Sequence, residues 1–600
     1  MPGIKFTNFD GYYPRTSAYL LPDNAGQTAE NVKLFSGELR GWQKSVAVFP
    51  QPTLVANPLA IYRLERPTDL ASAWLSWQSD VDVVPSPVSD TADGRIYYMG
   101  DGAPKKTNYA LATSGAAPYP YASLPMGVIA PTVAPTVAST VAGTTPETRA
   151  YIYTYISVFG TVFEESAPSP ATSVATYVSG DTVHISGLGT TSPAGYNITK
   201  KRIYRTSTSA NSVDYRLVAE IPITQATYDD SALQVNLPGD PLITLYFTEP
   251  PSDLRGLVSM PHGVLAAFRK NEVWFCEPDY PHAWPVSYVL TTAYNVVGLG
   301  VVGNMLVVCT ERSPELIYGT TPGAFTQDKV PLIEPCASKR SIATDGTAVI
   351  YASPNGLIAV GPNDRERVSE KLFRRQEFQE YQPNSLYAKI YDGQYFGWFN
   401  APVRGKGALL MDATDRPALS RLNQYTDAAY VDTRTANLYY VDGIDNHLYQ
   451  FDADTSNNNT YTWRSKKISW PFPVAMGVLQ LYADYKYLKS AVYDPTADIA
   501  YNAALIAAGT VRGAISLNAI NEFPINGSLL RPVYAPGNVR YVGVTVYGDG
   551  RVIASFPFMN EYHKKLPAGL RCRTWEVEIN GNAPVYSVYL APTVADLKDN

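Results

Sequence analysis

Charge is scarce in this chain. Asp, Glu, Lys and Arg supply 17% of its 600 residues, against roughly 25% in an ordinary globular protein. The 48 Lys and Arg are outnumbered by 54 Asp and Glu, for a formal net charge of −6. A protein that grips nucleic acid needs clustered cations to displace phosphate counterions. That class is therefore disfavoured, although a surface past which DNA slides without sticking fits this balance. The densest basic runs, Lys200-Lys201-Arg202 and Arg464 with Lys466 and Lys467, are too short for a DNA-binding stripe and are expected at solvated strand ends. Cysteine is equally sparse. Cys276, Cys309, Cys336 and Cys572 are widely spaced with no CxxC pair, which argues against a zinc site and a disulfide framework and for free thiols made in a reducing cytosol. The opening MPGIKFTNFDGYYPRTSAYLL lacks a basic stretch followed by an apolar core, so no secretory leader is expected. No apolar run reaches the ~18 residues of a membrane helix, so no stable membrane insertion is expected. The nearest, Val296 to Cys309, is broken by Gly and Asn and reads as two buried strands joined by a turn.

Tyr, Pro and Gly are plentiful, at 44, 47 and 42 residues. Tyrosine at that level with so much turn punctuation predicts many short strands. Low charge with high Tyr also suits a surface buried against partners. Six hundred residues exceed one core, so two to four domains are expected. Residues 1–55 read as an extended arm, which either ties one subunit to another or lies on its own domain. From Ala60 to Tyr109, IYRL, AWLSW, DVDVV and RIYYMGDG alternate as strand, turn, strand, making 56–111 a first propeller blade region. Residues 112–145, rich in Ala, Pro, Thr and Ser, read as an extended linker. In 146–240, Tyr151, Tyr153 and Tyr155 share one strand face and Ile152 and Ile156 the other. About seven short strands there suit an immunoglobulin- or fibronectin-like sandwich without the Cys–Trp–Cys pattern. Across 241–461 a loose strand–turn–strand repeat restarts at Pro261, Gly300, Thr344, Ala388 and Tyr425, at the ~40-residue period of propeller blades. With the earlier region it gives about six blades. Residues 462–600 read as a further β-domain with one helix, Tyr493 to Gly509, opened by Asp494 and Pro495 and closed by Gly509. The fold class is thus all-β: a β-propeller-like platform carrying an inserted immunoglobulin/fibronectin-like β-sandwich and a C-terminal β-domain.

The chemistry-bearing residues form no recognisable constellation. His184, His262, His282, His447 and His563 show neither HExxH nor metal-ligand spacing to a Cys, and read as structural or surface residues. There is no GxSxG elbow and no P-loop. Gly298, Gly300 and Gly303 spell GxGxxG, but NMLVVCTE follows. A dinucleotide site needs a helix there, so a glycine-rich turn is expected. In FDADTSNNNTYTW, Asp452, Asp454 and Ser456 alternate like the start of a calcium loop but lack its Gly and closing Glu. The segment reads as a blade-terminating turn. From Ser456 it faintly resembles the Asp-box of sialidase-type propellers, with Asn458 where Asp belongs and Thr460 where Gly belongs. Glycoside hydrolysis needs two carboxylates at set separation. Asp279, Glu311, Asp364 and Glu366 are candidates, but nothing singles out a pair. Trp274, Trp284 and Trp398 could line a sugar cleft or fill blade cores. No catalytic, cofactor-binding or metal residue is assigned, and no enzyme activity or cofactor is expected.

The order of several segments carries a family resemblance. Pro14 to Trp42 holds Leu21, Pro22, Ala29, Asn31, Gly37, Leu39 and Arg40. Tyr153, Thr154 and Tyr155 are followed by Glu164, Glu165, Ser166, Ala167, Pro168 and Ser169. KRIYRT, YRLVAEI and TYDD follow in turn, and Leu566 to Leu597 closes the chain. In this order the chain resembles the tail nozzle proteins, or tail tubular protein B, of short-tailed bacteriophages. The resemblance implies a non-enzymatic virion tail protein, synthesised in the host cytoplasm. It implies six copies in a ring below the portal and adaptor, seating tail fibres or a needle, with DNA passing between subunits without specific binding. The acidic balance suits such a wall, because like charge keeps phosphate backbones mobile. The competing reading is a propeller-based glycan-binding or glycan-degrading tail protein. A third is a cellular propeller scaffold, which predicts a stable monomer.

Overall fold

The computed structural model describes residues 3–34, 37–88, 94–140, 146–160, 162–178, 180–208, 213–233, 240–362, 365–412, 418–484, 496–507 and 540–597. They are nearly all strand. Seven small antiparallel sheets follow one another around a ring. Blade 1 is the hairpin Ala60–Glu65 and Ser72–Trp77. Blade 2 runs from Asp82–Pro85 to Leu124–Pro125. Blades 3, 4, 5 and 6 begin at Arg255–Ser259, Val296–Val302, Ala343–Thr344 and Tyr387–Tyr391, each with four strands in sequence order. Blade 7 takes Ala429–Val431, Leu438–Val441 and Leu448–Asn458. Its outer strand, Gln43–Ala47, comes from the N-terminal arm.

The ring closes because each inner strand serves two cores. Successive side chains of a strand point to opposite faces, and a strand buried on both faces reads as an unbroken apolar run. In blade 4, MLVVCT sends Leu306 and Val308 toward blade 3 and Val307 and Cys309 toward blade 5. Blade 5 sends Tyr351 back to blade 4 and Ile350 on to blade 6. Blade 6 splits Tyr395 from Phe396 in the same way, and blade 7 splits Tyr440 from Tyr439. Trp74 of blade 1 meets blade 7, while Leu75 and Trp77 meet Ile96 and Tyr98 of blade 2. Tyr97 and Met99 then meet Leu265 and Trp274 of blade 3. Seven interfaces and seven blades define a closed β-propeller. The sequence rhythm predicts about six, because strands of both blades 1 and 2 fall within 56–111 and match a single repeat in length.

The inserted module is a two-sheet sandwich. One sheet orders Val162–Glu165, Tyr151–Phe159, Ile198–Thr208 and Val213–Pro222. The other holds Thr136–Thr140, Thr182–Ser186 and Tyr228–Asp230. Tyr151, Tyr153, Tyr155, Val183, Ile185 and Ile203 fill the space between them. The stretch 112–145 is more than a linker. Leu124–Pro125 completes blade 2, and Thr136–Thr140 pairs into the sandwich.

The N-terminal arm lies on its own chain. Ile4–Thr7 pairs with Val585–Ala591 in the C-terminal domain. Gly26–Glu30 runs parallel to blade 6 at Glu30 and Arg421 and antiparallel to Tyr461–Ser465 of the C-terminal domain. It thereby joins both into one ten-stranded sheet. Asn31 sits at the seam with φ +55°, a left-handed conformation that Asn tolerates better than most residues. Its side-chain oxygen accepts from Asn423 N at 3.0 Å, and its amide donates to the Thr460 carbonyl at 3.0 Å. The helix of the C-terminal domain spans Thr496–Ala507. Asp494, Pro495 and Gly509 lie outside the described residues. No described helix is long and apolar enough to cross a membrane.

Candidate functional site

Two charged constructions connect parts of the fold, and neither has the form of a catalytic centre. The first crosses the mouth of the ring. Ser338–Ile342 leads into blade 5, and Lys339 reaches Asp80 at 3.0 Å and Asp82 at 2.6 Å, at the start of blade 2. Arg340 donates to the carbonyls of Leu59 (2.9 Å) and Asp427, just before blades 1 and 7. Its guanidinium lies 4.1 Å from the Tyr387 ring centre. Burial opposes the charge on Lys339, but the Asp82 and Asp80 carboxylates outweigh it and hold the ammonium above the ordinary lysine range. One loop thus ties the lead into blade 5 to the starts of blades 7, 1 and 2.

The second construction docks the sandwich on the ring. Glu164 and Glu165 are consecutive in a strand, so they point oppositely. Glu165 stays on the sandwich, accepting from Thr154 (2.6 Å), Arg202 (2.8 Å) and Tyr204 (2.6 Å). Glu164 enters the joint and takes the Lys106 ammonium, with Arg95 at 3.8 Å. Lys106 and Arg95 are blade 2 side chains 1% exposed, and His282 of blade 3 is buried beside them. Burial would raise the Glu164 pKa, but Lys106, His282 and Arg95 draw it below the usual carboxylate range. Burial is also the largest influence on His282, taking its pKa down to about 4.

Other signature residues are likewise structural. Pro168 and Pro170 interrupt ladder pairing because proline has no N–H. Instead, Ser166, Ser169 and Thr172 meet the Tyr strand at every third residue. Their hydroxyls accept from the N–H groups of Tyr155 (2.9 Å), Tyr153 (3.1 Å) and Tyr151 (3.0 Å). Asp230, from TYDD, accepts from Tyr151 Oη at 2.8 Å and Arg205 at 2.6 Å.

The sequence candidates disperse. His184 contacts Asp229, His447 contacts Asp445, and His262 sits in a tight turn at φ +63°. Among the described residues no group of three His, Cys, Asp or Glu could hold a metal. Asp452 and Asp454 lie in a strand rather than a turn. Asp452 already accepts from Lys33 (2.7 Å) and Gln43 N (2.6 Å), and Asp454 from Ser456 N (2.9 Å) and Asn457 (2.8 Å). Asn458 pairs with Gln43. Gly298 and Gly300 lie within a strand rather than a turn. A Cβ on either would come within 2.6 Å of Ile342 or Val349, so the string permits close packing of blades 4 and 5. Gly303 alone forms the turn, at φ +54°. Trp274 and Trp284 lie in the core of blades 2 and 3, and Trp398 in that of blades 6 and 7. They line no cleft. Asp279, Glu311 and Glu366 sit on blades 3, 4 and 5, and Asp364 lies outside the described residues. The expected solvated strand ends are in fact occupied. Lys201 is buried and donates to the carbonyls of Gly189 and Gln225, both at 2.6 Å, while Arg464 pairs with buried Glu576 at 2.9 Å. Sequence reasoning missed Arg95, Lys106, Lys339 and Arg340. The available signal was a cation placed inside, or beside, an apolar strand.

The fold and these joints define a β-propeller protein with a docked sandwich and a strand-stitched terminal domain. No family model and no curated protein matches the chain. Among solved structures it is similar to Hsv2 of Kluyvelomyces marxianus, at a TM-score of 0.23 and 10% identity, covering 47% of this chain and 71% of that one. It is also similar to the N-terminal domain of Nup159, at 0.22 and 8%, covering 44% and 67%. Apo AztD from Citrobacter koseri gives 0.23 and 11%, covering 53% and 89%. The propeller assignment rests on the interblade cores themselves.

Proposed function

We propose that this chain is the structural subunit of a short-tailed bacteriophage tail nozzle. Six copies close into a ring that conducts DNA and seats the adaptor on one side and fibres or a needle on the other. The supporting observation is where the resemblance-bearing residues fall. Leu39 pairs with Val585 across the arm and the C-terminal domain, Asn31 sits at the seam of blade 6, and Glu164 sits at the sandwich joint. These are positions that hold domains together, as a load-carrying subunit requires. The crossed axial mouth is compatible with a lumen between subunits. Negative-stain microscopy of the purified protein tests the reading. Closed, near six-fold rings with a central hole are expected; isolated particles, alone and with the adaptor present, would refute it.

A further inference from the structure

The proposed ring requires two different contact surfaces per subunit, because cyclic closure beyond a dimer uses heterologous contacts. Two exposed patches meet that requirement. The first lies on blade 3, where the chain returning from the sandwich meets the loop before Leu290–Thr291. Ile243, Tyr246 and Tyr280 surround a small cleft of about 160 Å³ that also holds Glu277. Ile243 is 58% exposed, Tyr246 71%, and neighbouring Val286 65%. Isolated exposed apolar residues are ordinary, but a clustered patch marks an interaction site. The two segments that build it, 240–250 and 277–288, contain Asp240, Glu249, Glu277 and Asp279 and no Lys or Arg.

The second patch runs along the outer edge of the C-terminal domain, from its edge strand Arg551–Phe558 through the segment that returns to Arg573. Between Asp549 and Arg573 stand five Lys and Arg against two carboxylates. Val552, Met559, Tyr562 and Leu570 are exposed among them, Tyr562 by 71%. Each patch therefore pairs apolar side chains with an excess of one charge, and the two excesses are opposite in sign. Their placement suits head-to-tail contact. The first is on blade 3; the second belongs to the domain joined to blade 6, three blades away around the ring of seven.

We infer that the blade 3 patch receives this edge of the C-terminal domain of the next copy of this chain, an acidic apolar surface taking a basic apolar one. The inference rests on the ring reading and names its contact. Opposed charge supplies register and rejects like-to-like pairing, and the aromatic residues provide the buried anchor.

Charge reversal tests it by mass photometry on two variants. One carries Glu277→Lys with Asp279→Lys, the other Lys565→Glu with Arg571→Glu. All four positions are outside the fold's cores, and unchanged circular dichroism and thermal midpoints verify folding. Each variant alone is expected to lose rings by at least tenfold. An equimolar mixture is expected to restore them, because every contact in an alternating ring is then complementary. Rings that persist in both single variants would overturn this contact while leaving the ring reading intact. Single variants that lose rings with no recovery on mixing would also overturn the pairing. A wild-type protein that forms no ring, with or without adaptor, would overturn both readings.

Discussion

Replacing Glu164 by Gln keeps the shape of the sandwich joint and removes the carboxylate charge that faces Lys106 and Arg95. The wild-type arrangement sets one carboxylate against two cations, each 1% exposed. Breaking a buried pair by removing one partner costs about 3–5 kcal/mol, because the other charge stays buried. The chain has several domains, so one unfolding midpoint would mix transitions. Hydrogen exchange at the joint, on both the sandwich and the blade 2 side, separates them, since no Trp falls within 136–240 and tryptophan fluorescence reports on the other domains. Glu164→Gln is expected to weaken protection at Lys106, Thr107 and Glu165 by the equivalent of about 3–5 kcal/mol, with tryptophan fluorescence nearly unchanged. Glu165→Gln is expected to leave Lys106 protected. Glu164→Leu with Lys106→Met should recover most of the loss, because apolar replacement of a buried pair is often neutral. Unchanged protection in Glu164→Gln would refute the joint as an electrostatic dock, as would additivity of the two changes in the double variant.

Two further outcomes follow from the same packing. Burial keeps His282 neutral down to about 4 against an ordinary 6.5. The unfolded chain therefore binds more protons between those values, and joint stability should rise with pH across that window, by about 3 kcal/mol at most. The Glu164 contribution is lost only at lower pH, as its own depressed pKa is crossed. Hydrogen exchange from pH 4.5 to 7.5 reads this, His282→Asn should flatten it, and a flat wild-type profile contradicts it. Gly300→Ala would put a Cβ 2.6 Å from Val349 Cγ1 and should cost about 1–3 kcal/mol by overpacking. Gly443→Ala, which meets nothing within 4 Å, should cost little by urea unfolding, and Val349→Ala should relieve the Gly300 variant; equal costs at the two glycines would contradict the close-packing account.

Much of the fold was legible because its signals are local. Unbroken runs such as MLVVCT mark strands buried on both faces, and their spacing marks blades. Tyr151, Tyr153 and Tyr155 on one face identify the sandwich core. The arm was not legible, since Ile4–Thr7, Gly26–Glu30 and Gln43–Ala47 are short strands whose partners lie about 400 or more residues away in sequence. Periodicity records which face of a strand is buried, not what covers it. The charged joints were hidden for a similar reason. Lys106 and Lys201 look like strand-end cations, and only the fold brings Glu164 and two backbone carbonyls to them. Asp452 and Asp454 resembled a metal loop because alternation along a strand and alternation of cation ligands have the same spacing.

The most direct test of the central claim is the native mass of the purified protein. The account predicts a species at six times the 65.6 kDa chain mass, formed alone or on addition of the adaptor. A single species at 65.6 kDa under both conditions, across the accessible concentration range, would contradict it.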